Sequence, residues 1–124
     1  MKIRIRGNSI RYRLTKPEVD TFCKTGCLMQ TTDFGDNMFT YVLQVSDTVE
    51  AIDAQFKDHT ITLFLEKAKS IDWNTSSRVG FSHTVKKTNG TMLSLLVEKD
   101  FVCMDETEED QSDNYPNPKM PLSK

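Results

Sequence analysis

Lys2, Arg4, Arg6, Arg11 and Arg13 occupy alternate positions on either side of Gly7-Asn8. On two paired strands this spacing gathers five cations on one face, with same-strand neighbours about 7 Å apart. Such a surface suits anions: a phosphate ligand, single-stranded nucleic acid or the chain's own acidic segment. Its like charges repel across the hairpin unless something neutralises them. The chain carries its own counter-charge in Asp105, Glu106, Glu108, Glu109, Asp110 and Asp113. The formal net charge of −2 therefore averages a start of +6 over residues 1–16 and a segment of −7 over residues 98–113.

Three readings of the basic face compete. It is a solvated edge that discourages sheet-to-sheet association. Alternatively it is a platform for single-stranded nucleic acid or a phosphate ligand, with Tyr12 as the obvious aromatic. Tyr12, however, has the parity of the apolar face, and the pI of 5.7 is far from the basic values of such binders. The third and favoured reading has the acidic segment folding back over the cations. Exposed ion pairs contribute only ~0–1 kcal/mol each, so docking needs a network of them.

Other chemistry finds less support. Cys23 and Cys27 are four apart, but no second pair of ligands completes a zinc spacing with His59, His83 or the distant Cys103. Cys23 also falls on an apolar helix face, where a free thiol acts as a small hydrophobe. His83 shares strand parity with Val79, Phe81 and Val85, which predicts a partly buried structural histidine. A calcium loop starting at Asp105 would have Asp110 where glycine is needed and Pro116 where glutamate is needed. There is no G-x-S-x-G and no P-loop, so an enzyme with a Cys/His or carboxylate site is the third-ranked function. No cofactor and no metal site is expected.

The elements that must position these residues follow from period and punctuation. Ile3, Ile5, Ile10, Tyr12 and Leu14 alternate with charged neighbours, the period-2 signature of half-buried strands. Gly7-Asn8 tolerates the turn between them. Thr15-Lys16-Pro17-Glu18 has capping-box spacing with proline in the first turn, and Gly26 closes the helix. Strands are predicted at Cys27–Asp33, Met38–Val45, Ile52–Lys57, Thr60–Leu65, Val79–Val85 and Thr91–Glu98, with a short helix over Lys67–Asn74. Met92, Leu93, Leu95, Leu96 and Val97 put apolar residues on both faces of the last strand, as in a central or covered strand.

The order hairpin, helix, hairpin occurs twice. At a constant offset of 51, Ser9–Leu14 lies over Thr60–Leu65 and Phe22 over Trp73. This predicts a duplicated ββαββ unit with halves 1–46 and 47–100. The expected fold is α+β: a predominantly antiparallel sheet or open barrel of about eight strands with two short helices. Residues 1–104 form the expected domain, and 105–124 an acidic, proline-containing arm.

Length and composition agree with a folded domain of 124 residues, 37% hydrophobic and 9% aromatic. The longest apolar stretches, Phe39–Val45 and Met92–Val97, are strand-length, whereas a membrane span needs roughly 18–20 residues. The N-terminus alternates arginine with isoleucine, unlike a secretory signal. Three cysteines are too few, and odd in number, for a disulfide framework, so a reducing cytoplasm is expected. No membrane partner is expected, and a homodimer is compatible with the pattern.

The opening M-K-I-R-I-R-G-N-S-I-R-Y-R-L-T-K-P-E-V and the closing L-L-V-E-K-D-F-V-C-M-D-E-T-E-E-D-Q-S-D-N-Y-P-N-P carry a resemblance. Together they resemble an uncharacterised family of short bacterial proteins, a domain of unknown function. The resemblance implies a stand-alone bacterial protein and transfers no catalytic residue, cofactor or partner. The expected function is a small non-enzymatic binding or interaction protein, with single-stranded nucleic acid or a phosphate ligand as the alternative.

Overall fold

The computed structural model describes residues 1–101. The acidic segment from Asp105 onward, and Cys103, lie outside the described residues. Eight strands and two helices are present among those described. They run β1 (Lys2–Arg6), β2 (Ser9–Leu14), α1 (Lys16–Thr25), β3 (Cys27–Asp33), β4 (Met38–Ser46), β5 (Ile52–Lys57), β6 (Thr60–Glu66), α2 (Lys67–Ser70), β7 (Gly80–Lys86) and β8 (Met92–Lys99). The fold is α+β.

The turn chemistry works locally. Gly7 adopts φ 52° between β1 and β2, while Asp58 and His59 both take positive φ between β5 and β6, as a two-residue type I′ turn requires. Helix α1 starts at Thr15, whose backbone N–H donates to Glu18 Oε1 at 2.8 Å, the glutamate half of the capping box. It stops at Gly26, where φ 81° lets the Gly26 N–H reach Phe22 O at 2.8 Å. The second helix is shorter than predicted. It ends at Ser70, and Asp72 turns left-handed at φ 60°. Trp73 is buried from a turn, not from a helix face.

Four antiparallel hairpins join into two separate sheets, ordered β1-β2-β8-β7 and β3-β4-β6-β5. The first sheet takes the first and last hairpins, and the second takes the two middle ones. Each join is parallel: β2 with β8, and β4 with β6. The sheets are therefore mixed, and they do not close into a barrel. Period-2 patterning is the same for either strand direction, so it cannot distinguish a parallel join from an antiparallel one.

The first hairpins of the two halves share one register. Lys2 pairs with Arg13 as Asp53 pairs with Phe64, and Ile5 with Ile10 as Phe56 with Ile61, each shifted by the offset of 51. The equivalence is geometric; descent from one repeated unit remains an expectation of the sequence.

One core lies between the sheets. Tyr12, Leu14, Phe81, Leu95 and Val97 enter it from one side, and Leu43, Ile52, Ile61, Leu63 and Leu65 from the other. Val19 and Phe22 of α1 and Trp73 complete it. Strand β8 is central, as its apolar residues predicted. Its inward row is Leu93, Leu95 and Val97; Leu96 is half-buried on the outer face and Met92 is exposed there.

Candidate functional site

The cross-strand registers lay out the outer face of the first sheet. Its rows read Lys2, Arg13, Glu98, Gly80; then Arg4, Arg11, Leu96, Ser82; then Arg6, Ser9, Ser94, Thr84. All five candidate cations thus stand opposite in parity to buried Tyr12 and Leu14. Lys2, Arg4 and Arg6 are exposed on the edge strand, and Arg11 and Arg13 are half-buried on its inner neighbour.

Two carboxylates stand at one end of this surface. Arg13 Nε donates to Glu98 Oε2 at 2.8 Å, and Arg11 Nε lies 3.5 Å from the same oxygen. Lys2 Nζ lies 3.1 Å from Asp100 Oδ2, and the Asp100 side chain is almost fully buried. The Asp100 N–H donates to Leu14 O at 2.8 Å, which ties the end of β8 to the end of β2. Among the described residues no carboxylate lies within ion-pair distance of Arg4 or Arg6. Sequence counting had grouped Glu98 and Asp100 with the acidic segment. Glu98 lies on β8, within the strand predicted for it, and Asp100 lies just past the end of that strand, tied to Leu14 O.

Beside the arginines the face is lined with hydroxyls. Ser9, Arg11, Ser82, Thr84 and Ser94 border a shallow concavity of about 480 Å³. Thr84 Oγ1 and Ser94 Oγ are 3.4 Å apart within it. Sequence reasoning missed these hydroxyls, because their alignment needs the pairing of β8 with both β2 and β7. Tyr12 is on the other side: its hydroxyl donates to Ile61 O at 3.1 Å, and burial pushes its pKa far above the usual tyrosine value. No aromatic side chain occupies the three outward rows.

The remaining candidates are dispersed. His83 is exposed, not partly buried as its parity predicted, because β7 is an edge strand. With Glu50 and Asp53 it borders an open hollow of about 500 Å³. No hydrogen bond joins it to either carboxylate, and Asp53 Oδ1 is held by Lys87 Nζ at 3.1 Å. His59 is a turn residue. Cys23 packs against the core with its thiol 3.3 Å from Ser70 O, and Cys27 opens β3; both are free. Among the described residues no three His, Cys, Asp or Glu side chains converge on a metal position. No helix among them is long and apolar enough to cross a membrane.

A family model described as a family of unknown function (DUF7009) matches residues 1–119. The chain belongs to that family. The match covers both charged ends together with the two sheets, so the basic face and the acidic segment occur within one family unit. No curated protein and no solved structure matches the chain.

Proposed function

We propose that this chain is a small non-enzymatic binding protein of the bacterial cytoplasm whose outer sheet face takes acidic peptide. Its own residues Asp105, Glu106, Glu108, Glu109, Asp110 and Asp113 are the first such peptide available to it. The carrying observation is the division of the basic face. Glu98 and Asp100 hold Arg11, Arg13 and Lys2, while Arg4 and Arg6 have no carboxylate of the described residues beside them.

The described chain ends at Phe101, just beyond the strand that supplies Glu98, and Asp105 follows four residues later. The cations from Lys2 to Arg6 span only about 13 Å at strand spacing. A segment of this length reaches all of them, since an extended chain covers about 3.3 Å per residue. The resemblance to short bacterial proteins and the odd cysteine set support the cellular setting.

The test compares the full chain with one truncated after Met104. Truncation is expected to lower Tm at low salt, to remove most of the salt sensitivity of melting, and to speed amide exchange in residues 2–14. Identical behaviour in all three overturns the reading.

The hydroxyls beside Arg6 and Arg11 favour one second reading, in which the face binds phosphate groups by charge-assisted hydrogen bonds. With Tyr12 buried, no aromatic of the described residues offers a stacking platform on this face, so contacts to nucleic acid would be to its backbone. Truncation after Met104 should then raise affinity for single-stranded DNA at low salt. Negligible binding by both chains would sink it.

A further inference from the structure

Strand β8 leaves the first sheet beside the start of α1, and a groove with a cavity volume of about 340 Å³ opens there. Leu14 and Val19, both buried in the core, line it together with Lys16, Asn74, Lys99 and Phe101. The hydrogen bond from the Asp100 N–H to Leu14 O pins the chain at this point. Phe101 therefore stands at the groove as the last described residue. It is 48% exposed and does not close the groove by itself.

Two observations select the occupant. The next residues in the chain are Val102, Cys103 and Met104, an apolar triad followed at once by Asp105 and Glu106. Consecutive Cα atoms are about 3.8 Å apart, so the triad begins at the groove with no linker to cross. An occupant delivered on the same chain outcompetes free ligands, because a short tether gives an effective concentration in the ~mM range. The charges follow the same order. Lys16 lines the groove and is exposed, and among the described residues no carboxylate lies within ion-pair distance of it or of Lys99. Lys99 Nζ donates to Ser76 O at 2.8 Å. Apolar side chains followed by acids thus meet an apolar groove beside the Lys16 cation.

We propose that Val102 and Met104 fill this groove, packed against Leu14 and Val19, and carry Asp105 past Lys16. On an extended segment these two side chains share one side, and Cys103 takes the other. The inference goes beyond the reading of the basic face, since an apolar anchor here needs no contact with Arg4 or Arg6. The direct test is methyl NMR on the full chain. It should show NOEs from the Met104 and Val102 methyls to those of Leu14 and Val19. Met104→Leu assigns the methionine signal among the six in the chain.

Leu14 and Val19 also hold the core, so the groove is tested by changing its occupant. Val102→Ser combined with Met104→Ser in the full chain should lower Tm by about 5 °C, the order expected when apolar contacts leave a small domain. The loss should be the same at low and high sodium chloride, because apolar packing carries no charge for salt to screen. Truncation after Met104 keeps the anchor and is expected to act at low salt, so failure of one reading is distinguishable from failure of the other. Absence of the NOEs, or a double variant that melts with the parent, overturns the proposal. A Tm loss that vanishes at high salt does the same. So does a concentration-dependent dimer whose intermolecular NOEs reach Leu14 or Val19, which would assign the groove to a second copy.

Discussion

Arg13 Nε and Glu98 Oε2 meet at 2.8 Å across a parallel strand pair, as direct cross-strand neighbours 85 positions apart in the chain. Arg11 approaches the same oxygen from two residues away on its strand. One carboxylate thus relieves repulsion between two guanidiniums on the strand that joins the first hairpin to the last. Glu98→Gln should cost about 1 kcal/mol at low salt, less than a buried charged pair because both arginines are about one-third exposed. Urea melts at low and high salt check it, with the difference shrinking as salt rises.

Gly80 stands in the same row. A Cβ there would come within 2.8 Å of Glu98 Cα, and closer still to Val97 O, both of them backbone atoms that cannot swing aside. Gly80→Ala should therefore destabilise by about 1–3 kcal/mol, as overpacking does. Because the strain falls at Glu98, the variant should also lose part of the salt sensitivity of melting that the Arg11–Glu98–Arg13 contacts confer. A variant that melts like the parent at every salt concentration contradicts this.

Glu18 accepts from the Thr15 N–H and from the amino terminus of Met1. Burial alone would raise its pKa, but these hydrogen bonds and the positive charge outweigh it and hold the carboxyl below its usual value. A folded-state pKa depressed in this way contributes stability above the unfolded pKa, and that contribution is lost as pH falls through the folded value. Glu18→Gln keeps an acceptor and removes the charge. It should lower stability by about 0.5–1 kcal/mol at pH 7, the scale of a charge at a helix N-terminus. The gap between the two Tm values should close as the pH is taken below the ordinary carboxylate range.

Trp73 is the chain's one tryptophan and is fully enclosed, with Nε1 donating to Arg78 O at 3.0 Å and its ring 5.1 Å from that of Phe81. Trp73→Ala should cost about 3–5 kcal/mol. Trp73→Phe should cost less, retaining ring contact while leaving the Arg78 carbonyl without its donor. Parent emission should be blue-shifted and move red in a single transition that coincides with loss of the far-UV signal.

Local features were legible in the residues themselves. Alternation placed Tyr12 and Leu14 inward and the arginines outward, because side-chain direction follows strand parity whatever the strand pairs with. Thr15, Glu18 and Gly26 bounded the first helix for reasons contained within a single turn. The hairpins were readable because their partners are adjacent in sequence. The offset of 51 holds for the register of the first hairpin of each half and not for the second, and duplication remains an expectation of the sequence.

What the tertiary structure decided lies between those hairpins. Parallel joining of β2 to β8 and of β4 to β6 is a contact between remote segments, and a period of two carries no direction. That joining sets Glu98 against Arg11 and Arg13, and Asp100, just past the strand, beside Lys2. It also aligns Ser9, Ser94 and Thr84 beside Arg6. Charge content was written along the chain; which charges meet was decided by strands that pair only once the chain has folded.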